Sequence, residues 1–191
     1  MPTRKPALWL LLLFSMTAFG ATIPRKSPEF AITMMDGKQL LLSQYRGKVV
    51  VLTFILTTCP HCQHTIGILS KLQTEYGPRG LQVLATAIED MAKMNVPDFI
   101  KKFQPPFPVG YTFRDSVVEY LQHPPMIRML MPNIAFIDRQ GVIQAQYSGD
   151  SPFFGDDQEK NLRQEIEKLL KEGTTTSKAP QHKAVASHAT K

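Results

Sequence analysis

Cysteine is scarce in this sequence: Cys59 and Cys62 are the only two among 191 residues. A purely structural disulfide between them would close so short a loop that it would restrain the unfolded chain little. A structural zinc site takes four ligands, and Cys59, Cys62 and His64 supply three at most. Haem attachment needs a histidine directly after the second cysteine, where Gln63 stands. The spacing of the pair favours the redox chemistry of a dithiol/disulfide site instead.

Dense blocks of positive charge are also absent. The chain carries 22 Lys and Arg against 16 Asp and Glu, a formal net charge of +6, but the basic residues do not gather into one block. Nucleic-acid binding is therefore not indicated. At this length, with 43% hydrophobic residues, the composition predicts one globular domain with appendages.

The apolar stretch Ala7–Phe19 is too short for a comfortable membrane span. It follows Arg4 and Lys5 and leads to small residues ahead of Ala21, which together predict a secretory signal peptide over residues 1–20. An uncleaved N-terminal anchor is the alternative, with the domain facing the periplasm. If the signal is cleaved, we expect a periplasmic or otherwise exported protein with no stable membrane span in its mature form. Such an oxidising compartment lets a lone cysteine pair become a disulfide.

The stretch that organises the chain is Cys59-Pro60-His61-Cys62, where the apolar run Val49–Thr57 gives way to a helical pattern. The first turn of a helix offers unpaired N–H groups and the positive end of the macrodipole, which stabilise a thiolate. Pro60 suits the first helical position because its missing N–H had no partner there. We therefore predict that Cys59 attacks a partner and that Cys62, one turn further in, resolves the mixed disulfide. A protonated His61 would favour the thiolate further.

A strand–helix–strand unit surrounds this motif. The run Val49–Thr57 predicts a strand covered on both faces, the helix continues to about Tyr76, and Leu81–Ile88 predicts a second buried strand. Such a unit makes a right-handed crossover to a parallel neighbour. Glu89 and Asp90 follow the second strand on the side of the sheet where the cysteines should lie. We interpret them as solvated loop carboxylates rather than as acid or base helpers.

Two hairpins flank this unit in the sequence. An Asp-Gly turn predicts an N-terminal hairpin, and a second, antiparallel hairpin precedes the last amphipathic helix. The fold class is therefore α/β. The predicted divisions are the signal peptide at 1–20, a linker at 21–29, the domain at 30–172 and a disordered polar tail at 173–191.

These features together resemble thioredoxin. The segments Leu42–Val51 and Ile134–Gly141 are similar to the exported TlpA/ResA branch of that superfamily, which is related to the AhpC/TSA proteins, and the resemblance covers residues 28–172. It implies a central mixed β-sheet flanked by helices, with an extra N-terminal β-hairpin. It also implies a cis peptide bond between Met131 and Pro132, beside the active site, where backbone groups would hold an extended partner peptide.

The sequence departs from that family in three respects. Thr57 stands where the family usually has a tryptophan, and Thr65 stands where members that reduce apocytochrome c carry an acidic residue. The buried acid of ordinary thioredoxins is missing too, since Val49–Thr57 contains no charge. The Pro-His dipeptide is instead similar to that of the strongly oxidising DsbA proteins.

The leading hypothesis is a thiol–disulfide oxidoreductase that exchanges electrons with exported protein thiols or disulfides through a mixed disulfide. It would use a redox-active Cys59–Cys62 disulfide, a redox partner protein, and no cofactor or metal. Pro132 and Met131 would bind the substrate. The direction of electron flow is open.

Two other classes remain as alternatives. One is a periplasmic Cu(I)-binding chaperone, because thiolate and thioether ligands select Cu(I) and three methionines flank the proline expected to face the cysteines. The supporting side chains would be Met126, Met129, Met131 and His64. The other is a thiol peroxidase, which needs a threonine three residues before the reactive cysteine, where this chain has Leu56.

Overall fold

The computed structural model describes residues 21–175, and their side chains as far as residue 172. The predicted signal peptide and most of the predicted tail lie outside these residues. The strands are β1 (Arg25–Lys26), β2 (Ala31–Thr33), β3 (Gln39–Leu41), β4 (Val49–Ile55), β5 (Leu81–Ala87), β6 (Val109–Tyr111), β7 (Asn133–Ile137) and β8 (Val142–Tyr147). The helices are α1 (Pro60–Tyr76), α2 (Ala92–Phe103), α3 (Arg114–Leu121) and α4 (Gln158–Thr175).

All the strands belong to one mixed sheet in the order β1-β8-β7-β4-β5-β6-β2-β3. Strands β4, β5 and β6 run parallel, while β7 pairs with β4 in the antiparallel sense. Every residue of β4 is buried, as the unbroken apolar run predicts for a strand covered on both faces. The predicted α/β class, with a thioredoxin-like mixed sheet flanked by helices, is confirmed.

Helices cover both faces of this sheet. Helices α1, α2 and α4 contribute to the buried cluster on one face, and α3 contributes to the cluster on the other face. The predicted inward stripe of α1 is buried at all four positions, Ile66, Leu69, Leu72 and Tyr76. Because β4, β5 and β6 run parallel, the carboxyl ends of these strands meet at one edge of the sheet.

The predicted N-terminal hairpin is present as β2 and β3, and Gly37 closes its turn with a positive φ of 82°. The segment 21–29, predicted as a linker, is built into the domain instead. Strand β1 pairs with β8 at one edge of the sheet. The Ser27 hydroxyl lies 2.8 Å from the Tyr120 hydroxyl, and both residues are buried. The linker prediction is wrong for residues 25–27, because short-range composition does not reveal a partner more than ninety residues away.

Helix α4 continues to Thr175, two residues beyond the predicted start of the tail. Among the residues described by the structure, no helix is both long and apolar enough to cross a membrane.

Candidate active site

The cysteine motif lies at the N-terminus of α1, directly beyond the carboxyl end of β4. Cys59 is the N-cap residue, with extended backbone angles (φ −79°, ψ 119°), and Pro60 occupies the first turn. The Cys59 sulfur accepts a hydrogen bond from the Cys62 backbone N–H at 3.4 Å. The cap that serine or aspartate usually provides is therefore supplied by a thiol, which places this sulfur in the field of the helix terminus.

The two cysteines differ in exposure, and both are free thiols. Cys59 is half-buried, whereas Cys62 is fully buried, with 0% of its surface exposed. Burial raises the pKa of the Cys62 thiol, and the nearby Cys59 thiol and Glu89 charge raise that pKa further, against a backbone hydrogen bond with Leu56. His61 is exposed on the outer side of the first helical turn.

The predicted proline segment lies beside the end of β4. Asn133, the first residue of β7, pairs with Phe54 near the end of β4. The preceding Met131–Pro132 peptide bond is cis, and Pro132 is buried. Met131 is half-buried, and its sulfur accepts a hydrogen bond from the Asn133 amide at 3.3 Å. The β4–β7 register therefore brings this segment to the edge of the sheet where the cysteine motif begins.

Glu89 also belongs to this site. Its Oε1 atom accepts hydrogen bonds from the Thr57 backbone N–H, at 3.1 Å, and from the Thr57 hydroxyl. Its Oε2 atom is buried and has no hydrogen-bond partner among the described residues. The interpretation of Glu89 as a solvated loop carboxylate is wrong, whereas Asp90 is exposed as predicted. The parallel pairing of β4 with β5 places both strand ends side by side, which is the signal that could have identified Glu89.

The position of the missing acidic residue is occupied by a buried polar pair. Thr65 is fully buried and donates a hydrogen bond to the His61 carbonyl at 2.9 Å. Its hydroxyl in turn accepts from the side-chain amide of Gln158, the first residue of α4, at 2.7 Å. This contact ties the second turn of α1 to α4. Gln158 follows a loop far along the chain, and no local sequence pattern identifies it.

The methionines of the copper alternative differ widely in their exposure. Met126 is 95% exposed, Met129 is only 4% exposed, and the Met131 sulfur already accepts a hydrogen bond. Within the described range 21–172, no group of three or more His, Cys, Asp or Glu side chains is arranged to hold a metal ion.

Taken together, the mixed sheet, the half-buried N-cap thiol and the buried second thiol define a thioredoxin-like dithiol protein. The chain belongs to the Redoxin family, whose pattern matches residues 22–166.

The names of curated relatives are consistent with this family. The thiol-disulfide oxidoreductase ResA of Geobacillus thermodenitrificans is 28% identical over 132 residues, which cover 69% of this chain and 70% of that protein. ResA of Geobacillus kaustophilus is 29% identical over the same length and the same shares of both chains. Among solved structures, a Chlorobium tepidum protein described as a thiol:disulfide interchange protein DsbE superposes with a TM-score of 0.65 at 25% identity, covering 77% of this chain and 96% of that chain. The predicted ResA-type resemblance and the prediction of a thiol–disulfide oxidoreductase are confirmed.

Proposed function

We propose that this protein is an exported thiol–disulfide oxidoreductase whose Cys59–Cys62 pair exchanges with substrate proteins through a mixed disulfide. The observation that carries the proposal is the unequal exposure of the two thiols. Cys59 is half-buried at the helix N-terminus, and Cys62 is completely buried behind it. A substrate can therefore reach the first sulfur but not the second.

In the reducing direction, the Cys59 thiolate attacks one sulfur of a substrate disulfide. A bond forms between Cys59 and that sulfur, and the second substrate sulfur leaves as a thiolate. Cys62 then loses its proton and attacks Cys59, so that the Cys59–Cys62 disulfide forms and the first substrate sulfur leaves as a thiolate. Two electrons pass from the enzyme to the substrate. The oxidising direction is the reverse of these steps.

The substrate peptide would lie along the segment around Pro132. Just before this proline the chain exposes large apolar side chains, with Leu130 42% exposed and Ile127 59% exposed. Apolar surface of this kind favours an extended, unfolded stretch of a protein over a small polar disulfide. Met131, half-buried between this surface and the core, would contact the peptide next to the sulfur that Cys59 attacks.

The export proposal rests on the signal pattern of residues 1–20, which includes Arg4 and Lys5 before the apolar stretch. The partners would then be exported protein thiols or disulfides and a redox partner that restores the cysteine pair. Fractionation of cells that produce the full chain, with N-terminal sequencing of the product, tests both the compartment and cleavage before Ala21.

The central test is the reduction potential of the Cys59–Cys62 pair, equilibrated in glutathione buffers. A potential near about −120 mV would make the protein an oxidant of exported thiols, and one near about −270 mV would make it a reductant. In parallel, Cys62→Ser should accumulate a mixed disulfide with a substrate protein, because the resolving thiol is gone. Cys59→Ser is the matched control and should accumulate none. Absence of a reversible dithiol couple would contradict the proposal.

A further inference from the structure

The Glu89 carboxylate is held in one orientation at the end of β5. Both hydrogen bonds to its Oε1 atom come from Thr57, one from the backbone and one from the hydroxyl. Thr57 itself is only 5% exposed. Its carbonyl accepts a hydrogen bond from the Gln63 side chain at 2.8 Å, which joins the same loop to the first turns of α1. The carboxylate is therefore fixed against the loop that leads into the cysteine motif.

The second carboxylate oxygen has no such partner. Oε2 of Glu89 is buried and unpaired among the described residues. A buried acceptor of this kind is costly unless something else serves it, because it has lost its hydrogen bonds to water. Buried unsatisfied oxygens of this kind in native proteins call for an explanation such as a catalytic role.

The group nearby that must lose a proton is the Cys62 thiol. The backbone of Leu56 hydrogen-bonds with this thiol, and the next residue, Thr57, holds Glu89. The two side chains are thus anchored to adjacent residues of one loop. Consistent with this closeness, the Glu89 charge contributes to the raised pKa of Cys62. A thiol that is completely buried cannot readily give its proton to bulk water, so a local acceptor is required for it to react.

We propose that Glu89 is the proton acceptor of Cys62 in the step that resolves the mixed disulfide, an assignment that rests on the proposed function. The proton leaves the Cys62 sulfur and is taken by Oε2 of Glu89, directly or through one water. The electron pair left on Cys62 forms the bond to the Cys59 sulfur. The Cys59–substrate bond breaks, and the substrate sulfur leaves with the electron pair of that broken bond and then takes up a proton.

Other charged groups approach this loop from α2. Asp98 and Lys102 line a cleft of about 230 Å³ together with Thr57, Thr58, Gln63 and Asn95. From α1, the site receives the Cys59 thiol and the exposed His61. Asp98 and Lys102 carry opposite charges and line this cleft with Thr57, whereas Glu89 accepts its hydrogen bonds from Thr57 at the end of β5.

A purely electrostatic role for Glu89 makes the opposite prediction from proton acceptance. If the carboxylate only repels the Cys62 thiolate, removing its charge lowers the pKa of Cys62 and accelerates the resolving step. If the carboxylate takes the proton, removing it slows that step. The sign of the rate change therefore separates the two roles.

The experiment mixes the reduced protein with 5,5′-dithiobis(2-nitrobenzoate) and follows release of thionitrobenzoate by absorbance. The first release reports the attack of Cys59 on the probe, and the second reports resolution by Cys62. For Glu89→Gln, we expect a second release about 100-fold slower at pH 7, which is the low end of general-base effects, and a first release within about twofold of wild type. The difference in the rate of the second release between Glu89→Gln and the wild type should shrink as the pH rises, because hydroxide then ionises the Cys62 thiol.

Two further variants complete the design. Asp90→Asn removes the exposed neighbouring charge and should leave both releases unchanged. Glu89→Asp keeps a carboxylate, so it should retain the wild-type pH profile even where a shorter side chain lowers the rate or the stability. An unchanged or faster second release in Glu89→Gln would overturn the proposal, as would equal, pH-independent slowing in both Glu89 variants. Failure of the wild-type protein to make a second release would instead overturn the proposed function.

Discussion

Gly149 allows the loop after β8 to approach the proline segment at backbone distance. Its N–H donates a hydrogen bond to the Leu130 carbonyl at 3.2 Å. A Cβ atom at this position would lie 2.7 Å from the carbonyl carbon and oxygen of Leu130 and 2.7 Å from the carbonyl carbon of Met131. These are backbone atoms, so no flexible side chain can move aside, and Gly149→Ala must displace one of the two loops.

Overpacking of this kind costs roughly 1–3 kcal/mol of stability. In a domain of this size, each 1 kcal/mol shifts the midpoint of thermal unfolding by about 2–4 °C. We therefore expect the midpoint of Gly149→Ala to fall by roughly 2–12 °C. Because the displaced atoms include Met131, the rate of the first thionitrobenzoate release should also change. This rate connects the close approach of the two loops to the active site.

Gly67 provides the matched control for this substitution. It lies on the exposed face of α1, and a Cβ there would meet nothing within 4 Å. Gly67→Ala should therefore stabilise the protein by up to about 1 kcal/mol through helix propensity. Thermal unfolding followed by circular dichroism measures both variants. If Gly149→Ala unfolds at or above the wild-type midpoint while Gly67→Ala behaves as expected, the close approach at Gly149 is refuted.

The remaining predictions concern the thiols and the N-terminal strand. In single-cysteine variants, mass spectrometry should show that iodoacetamide at pH 8 alkylates Cys59 about 100-fold faster than Cys62, because burial covers the Cys62 sulfur and raises its pKa; comparable rates would contradict the assigned roles. The raised pKa also means that, above about pH 8.5, the unfolded chain binds fewer protons than the folded one. Urea unfolding of the reduced protein should then show a stability loss of about 1.4 kcal/mol per pH unit relative to Cys62→Ala, and parallel curves for the two proteins would refute this. Ser27→Ala should cost roughly 1–3 kcal/mol, because it leaves the buried Tyr120 hydroxyl without its partner. Adding Tyr120→Phe should recover part of that loss, and strict additivity in the double mutant would argue against the contact.

Local sequence patterns were sufficient to predict the secondary structure at the centre of the domain. The apolar run of β4, the helix from Pro60 to Tyr76 and the buried strand after it follow from periodicity and from turn residues, which act between near neighbours. The Cys-Pro-His-Cys spacing likewise placed both thiols on the first turn of α1, because helix geometry connects residues three apart.

The sequence by itself determined the fold class, the position of the thiol pair and which cysteine lies further inside. The tertiary structure decided which polar groups surround that pair. Glu89 reaches Thr57 from the end of a neighbouring parallel strand, and Gln158 reaches Thr65 from the start of α4. Strand β1 pairs with β8, which lies more than a hundred residues further along the chain. The physical reason is that side-chain periodicity records which face of an element is buried, whereas strand register and helix docking decide which distant residue it meets there.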